Sequence, residues 1–80
     1  MPADPDEKIV ADTIAQLKGD REAQGLSMYR VAQLAGLDER TISKVEAGSQ
    51  NPTLYTLLKI ARAQGVTLSR LIARAERSKE

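Results

Sequence analysis

The sequence predicts an all-α fold, a compact bundle of five helices, on three grounds. Ala, Leu, Arg, Gln and Glu are abundant while Phe and Trp are absent, so local propensity favours helix almost everywhere. No stretch alternates β-branched and polar residues with the period of two that marks a half-buried strand. Capping chemistry then cuts this helical material into five segments joined by connections of two to five residues.

The first helix opens at Asp4-Pro5-Asp6-Glu7, which offers an N-cap, a proline suited to N1 and a Glu at N3 that can reach back to the cap. Val10, Ile14 and Leu17 continue it as one stripe, and Gly25 is its stop, so the helix is expected over about 5–24. Gly19 weakens its middle. Three later starts repeat one arrangement, an apolar residue before a Ser, Asp or Thr cap and a second apolar residue at N4. They are Leu26-Ser27 with Val31, Leu37-Asp38 with Ile42, and Val66-Thr67 with Leu71, each a hydrophobic staple around a cap. These place helices at about 28–35, 39–47 and 68–77. The fourth helix is expected to take Asn51 as cap and Pro52 at N1, with Leu54, Leu57, Leu58 and Ala61 at helical spacing before Gly65.

Helices this short are not stable alone and must share a core. Its expected members are Val10, Ile14, Leu17, Val31, Ala32, Leu37, Ile42, Val45, Leu54, Leu57, Leu58, Ala61, Val66 and Leu71. Eighty residues, 41% hydrophobic and 29% charged, fit a single domain over 1–80. Its helical core is expected over 5–77, with residues 1–4 and 78–80 loose at the ends.

Composition also excludes chemistry. With no Cys and no His, disulfides, thiolate chemistry and the commonest metal ligands and general base are all missing. No phosphate-binding glycine loop or nucleophile elbow organises the remaining groups, so neither an enzyme nor a bound cofactor or metal is expected. No apolar run is long enough for a membrane span, and the acidic start MPADPDEK is unlike a secretory leader, which points to the cytoplasm and to no membrane partner. The formal net charge of +1 is unevenly spread: residues 1–24 carry −3, residues 25–63 carry +2 and residues 64–80 carry +2. Any electropositive face must come from the middle or the end.

Only Gly36 and Leu37 lie between the second helix and the cap of the third, the spacing of a helix-turn-helix. Small Ala32 allows a close crossing, Gly36 can take a left-handed turn conformation, and Ile42 and Val45 anchor the third helix inward. Glu39, Arg40, Ser43 and Lys44 are left outside, a hydrogen-bonding face that a DNA major groove can accept.

On these residues the chain resembles the Cro/lambda-repressor-like, or XRE-type, helix-turn-helix domains. The resemblance runs from about Leu17 to Ile72 through GLSMYRVAQLAGLDERTISKVEAG, NPTLYTLLKIARAQGV and TLSRLI. It implies a recognition helix at about 39–47, with base-edge contacts from Glu39, Arg40 and Lys44 and additions from Thr41 and Ser43. In that role Arg40 would pair with guanine, Lys44 with guanine or a phosphate, and Glu39 with cytosine N4. Phosphate contacts are implied for Ser27, Ser49, Gln50 and Asn51, and an ion pair for Arg21 with Glu46, whose expected work is orientation rather than net stability. Two positions depart from the family pattern. Met28 stands where Gln often touches a phosphate, which passes that contact to Ser27 or Arg30, and Ala47 stands where a basic or amide residue often precedes Gly48. Both imply modest affinity per domain and reliance on pairing.

Several residues carry a plainer reading beside the functional one. Asp38 reads as an N-cap alone, and Glu39 is equally a first-turn acid or a base reader. Tyr29 reads as packing, while Tyr55 either packs or offers its hydroxyl to a phosphate. The resemblance implies a bacterial or phage regulator of transcription, by expectation a repressor, binding double-stranded palindromic DNA as a homodimer. Antitoxins and restriction-system controllers are similar in size. The rival reading is a protein-interaction module with weak DNA affinity, bound to a toxin or regulator and favoured by Met28, Ala47 and the Asp38-Glu39 tip.

Overall fold

The computed structural model describes residues 4–49 and 51–77. Within them the chain forms α1 (Pro5–Ala23), α2 (Met28–Ala35), α3 (Glu39–Ala47), α4 (Leu54–Gln64) and α5 (Leu68–Arg77). Asp4 caps α1, its carboxylate accepting the Glu7 N–H at 2.9 Å, and Pro5 takes the first position, where no intrahelical donor is needed. The expectations for residues 1–3 and 78–80 fall outside the described residues.

Each of the first four helices ends on a turn that also prepares the next segment. At the end of α2, Gly36 adopts φ +70° and Leu37 N–H donates to the Ala32 carbonyl at 2.9 Å, a Schellman closure. Leu37 then lies half-buried against the core to which Ile42 belongs, and Asp38 caps α3 by accepting the Arg40 N–H at 3.2 Å. One apolar residue thus closes one helix and braces the start of the next. Leu26 and Val66 repeat this, donating to the carbonyls of Arg21 and Ala61 at 3.0 Å each.

α4 departs from the expectation in two ways. Its cap is Thr53, whose hydroxyl accepts the Thr56 N–H at 3.1 Å, so the helix starts at Leu54 and neither Asn51 nor Pro52 belongs to it. Its buried stripe is Leu57, Ile60, Ala61 and Gln64, whereas Leu54 is 68% and Leu58 42% exposed. The stripes 54/57/58/61 and 57/60/61/64 both follow helical spacing and share two members. Gln64 settles the phase, because its amide donates to the Leu17 carbonyl at 3.0 Å and to Asp20 Oδ2 at 3.1 Å, docking α4 on α1.

The core is built from Ile14, Leu17, Val31, Ala32, Ile42, Val45, Leu57, Ile60, Ala61, Leu68 and Leu71, with Val10, Leu37 and Val66 packed at its edge. Ile60 and Leu68, absent from the expected set, are buried, while Leu54 and Leu58 are not. α1 and α5 pack antiparallel, tied by Gln16, whose amide donates to the Leu71 carbonyl at 2.7 Å. α2 lies against both α3 and α4. Among the described residues no helix is long and apolar enough to cross a membrane.

Candidate nucleic-acid interface

α2 and α3 pack on each other across the Gly36-Leu37-Asp38 turn, and α3 turns one face inward. Ile42 is fully buried and Val45 is 1% exposed. A helix with those two side chains beneath it must carry Glu39, Arg40, Ser43 and Lys44 on the far side, where all four are exposed; Thr41 lies at the margin, half-buried. The outer face forms two rows one turn apart, Glu39 with Ser43 and Arg40 with Lys44. Nine residues of α-helix span about 13 Å, comparable with the width of a B-DNA major groove. The acids crowd the N-terminal end: Asp38 is committed to its cap, and Glu39 is the carboxylate on the outer face of the helix.

The candidate phosphate contacts flank this helix. Ser27 caps α2, its hydroxyl oxygen accepting the Arg30 N–H at 3.0 Å, which leaves the hydroxyl proton to donate to an anion at a helix N-terminus. Arg30 is exposed and one guanidinium nitrogen donates to Gln33 Oε1 at 3.2 Å. Met28 is half-buried and packs on the core, an apolar use for its position. Ser49 and Asn51 are exposed in the connection between α3 and α4; Gln50 lies outside the described residues. Tyr55 is 67% exposed and the Lys59 ammonium sits 5.0 Å from its ring centroid, a cation–π contact absent from the sequence expectations.

Behind the reading helix, Arg21 and Glu46 meet in a two-pronged contact, Nε to Oε2 at 2.7 Å and Nη2 to Oε1 at 2.9 Å. Their side chains are only 10% and 8% exposed. The remaining guanidinium nitrogen, Nη1, donates to the Leu26 carbonyl at 2.8 Å. One arginine thereby joins the end of α1, the connection to α2 and the end of α3. The Glu46 hydrogen bonds, opposed by burial and helped by the charges of Glu46 and Glu22, raise the Arg21 pKa above its ordinary value. A raised cationic pKa stabilises the fold at every pH below the ordinary arginine range and is lost only above it, so the Arg21 contribution is constant around neutrality.

Charge placement also separates the middle of the chain from its ends. The antiparallel packing lays basic α5 along acidic α1, so that Arg74 shares a groove with Lys8, Asp12 and Gln16, and Arg70 and Arg74 share another with Asp20. The excess positive charge left over is that of residues 25–63, which include α2 and α3.

Comparison with known proteins agrees with this geometry. The helix-turn-helix family matches residues 17–71. The HTH-type transcriptional regulator PuuR of Escherichia coli is 37% identical over 60 residues, which cover 75% of this chain and 32% of PuuR, so the chain spans about a third of that relative's length. The uncharacterized HTH-type transcriptional regulator y4dJ of Sinorhizobium fredii is 34% identical over 65 residues, covering 81% of this chain and 80% of that protein. Among solved structures, the restriction-modification controller protein C.AhdI from Aeromonas hydrophila superposes with a TM-score of 0.66 at 33% identity, over 82% of this chain and 96% of its own. The chain therefore belongs to the helix-turn-helix family, of the XRE type.

Proposed function

We propose that the protein lays α3 in the major groove of double-stranded DNA and regulates transcription as a repressor, by occupying an operator. The observation that carries this reading is the two-sided character of α3, with Ile42 and Val45 buried beneath and Glu39, Arg40, Ser43 and Lys44 presented outward. In it Arg40 and Lys44 address guanine, Glu39 addresses the amino group of cytosine, and Thr41 and Ser43 add contacts beside them. Ser27, Arg30, Ser49 and Asn51 hold the phosphate backbone, as Gln50 would on sequence grounds, and so set the register of the helix. Arg21 and Glu46 orient α3 on α1. The protein acts as a binding protein in the cytoplasm and not as an enzyme.

A single module of this size makes few phosphate contacts, which favours a homodimer on a palindromic operator. The face that suits a second copy is the groove between α4 and α5, lined by Leu54, Leu58, Val66 and Ile72. Arg62 lines the same groove, and Glu76 stands one turn beyond Ile72 on α5, so a two-fold contact can set each copy's base against the other's acid.

The test is binding to random DNA and to sequences selected from a randomised pool, measured over a range of salt. The expected result is a steep loss of affinity with salt and a selected palindrome. No binding to either at low salt overturns the reading. The exposed apolar residues Tyr29, Leu34, Leu54, Tyr55 and Leu58 favour a second reading, an interaction module that binds a toxin or regulator, and that outcome would support it.

A further inference from the structure

We propose that the groove between α2 and α4 is a docking site for an acidic amphipathic helix supplied by another protein. The groove encloses about 360 Å³ and is walled by Leu34, Tyr55, Leu58 and Ala63. Leu34 is 50%, Tyr55 67% and Leu58 42% exposed, so three of the largest apolar side chains of the molecule face water here. Ala35, Lys59 and Arg62 complete the lining, and no acidic residue is part of it. Lys59 is held over the Tyr55 ring at 5.0 Å, which places its charge beside the apolar wall.

Three occupants can be weighed on this chemistry. A second copy in two-fold contact would set Lys59 and Arg62 near their own images, with no acid in the groove to offset the repulsion. DNA would satisfy the two bases but leave Leu34, Tyr55 and Leu58 against a polar backbone. A helix with apolar residues along one stripe and Asp or Glu beside them satisfies both features, burying its stripe between α2 and α4 while its acids meet Lys59 and Arg62. The eleven residues of α4 span about 16 Å, room for roughly three turns of a partner helix with anchors at i, i+3 or i+4, and i+7. The site uses none of the residues that the proposed function places on DNA, although Leu58 and Arg62 are shared with the proposed two-fold face. Peptide binding is read without DNA, so its failure and the failure of that reading are distinguishable.

The experiment uses the full chain and a fluorescein-labelled synthetic helix of about fifteen residues, with Leu along one stripe and Glu at the flanking positions. Binding is followed by fluorescence anisotropy and by amide chemical shifts. The expected result is saturable binding that weakens with salt, with shifts concentrated around Leu34, Tyr55 and Leu58. Leu34→Glu and Arg62→Glu should each weaken it at least about tenfold, a hot-spot loss. Both side chains are exposed, and circular dichroism melting checks that each variant remains folded. Lys59→Glu replaces either that does not fold. A peptide with Lys in place of Glu should not bind. Absent binding, equal binding of the Lys peptide, or full binding by the variants overturns the proposal. So does preferential binding to vesicles of phosphatidylglycerol and phosphatidylcholine that is lost in the same variants, which would assign the groove to an anionic membrane surface.

Discussion

Arg21 holds Glu46 through two nitrogens and the Leu26 carbonyl through a third, so removing either charged partner strands the other in a nearly closed site. Arg21→Met or Glu46→Leu alone should destabilise the fold by about 3–5 kcal/mol, whereas the two changes together should recover much of that loss. Urea unfolding of the four proteins measures both the cost and the coupling, and simple additivity would show that the pair is not energetically joined. Glu39 poses a different question, because the same carboxylate suits both a helix start and a cytosine amino group. Glu39→Gln is expected to shift the preference at one base pair from cytosine toward adenine, since Gln pairs with adenine where Glu accepts from cytosine. Competition binding with operators varied at each position detects this; a uniform rise in affinity for every sequence would reduce Glu39 to a first-turn acid.

Glycine has opposite values in two elements of this chain, although a Cβ added at either position would meet nothing within 4 Å. Gly19 lies inside α1 and Gly36 ends α2 at φ +70°. Gly19→Ala should therefore stabilise the protein by about 0.5–1 kcal/mol, through helix propensity. Gly36→Ala should cost about 1–2 kcal/mol, because its backbone must stay left-handed for α3 to follow α2 at the same angle. Thermal or urea unfolding of the two variants gives the signs directly, and equal signs would refute this account of the turn. The same local chemistry made most elements legible: Ser27, Asp38 and the glycines act over four residues, so α2 and α3 fall where their caps place them. α5 starts at Leu68 as its staple predicts, without a side-chain cap from Thr67 among the described residues. α4 shows where that legibility ends. Its two candidate stripes were equally periodic, and the choice between them rests on Gln64 reaching Leu17 and Asp20 more than forty residues away in sequence. Local spacing contains no trace of such a contact, which is why Leu54 and Leu58 read as core and Ile60 did not. The exposed outer face of α3 was recoverable because Ile42 and Val45, which define it by exclusion, are three residues apart on one short helix.

At the scale of the whole molecule the α4 phase becomes functional, because it leaves Leu58 and Arg62 on a ridge shared by two grooves. One faces α5 and suits a second copy; the other faces α2 and suits an acidic helix. Leu58→Glu places a charge on this ridge at a position 42% exposed, so the fold should tolerate it while pairing fails. Sedimentation should then give a monomer at concentrations where the wild-type chain is dimeric. Affinity for a palindrome should fall by roughly 10²–10⁴, the gain lost when two linked sites bind independently, while affinity for a half-site stays nearly unchanged. Persistent dimerisation of this variant would move the two-fold face away from α4. The shared ridge also couples the grooves, since one Leu58 side chain cannot be fully buried against two partners at once. Saturating the protein with the acidic peptide should weaken its dimerisation, and by linkage dimerisation must weaken peptide binding by the same factor. Sedimentation with and without peptide gives one side of that equality, and peptide titration at protein concentrations below and above the dimer midpoint gives the other. A peptide affinity independent of protein concentration would mean that the two grooves work separately. A matched shift would mean that an acidic partner can release this protein from its operator without touching the helix that reads it.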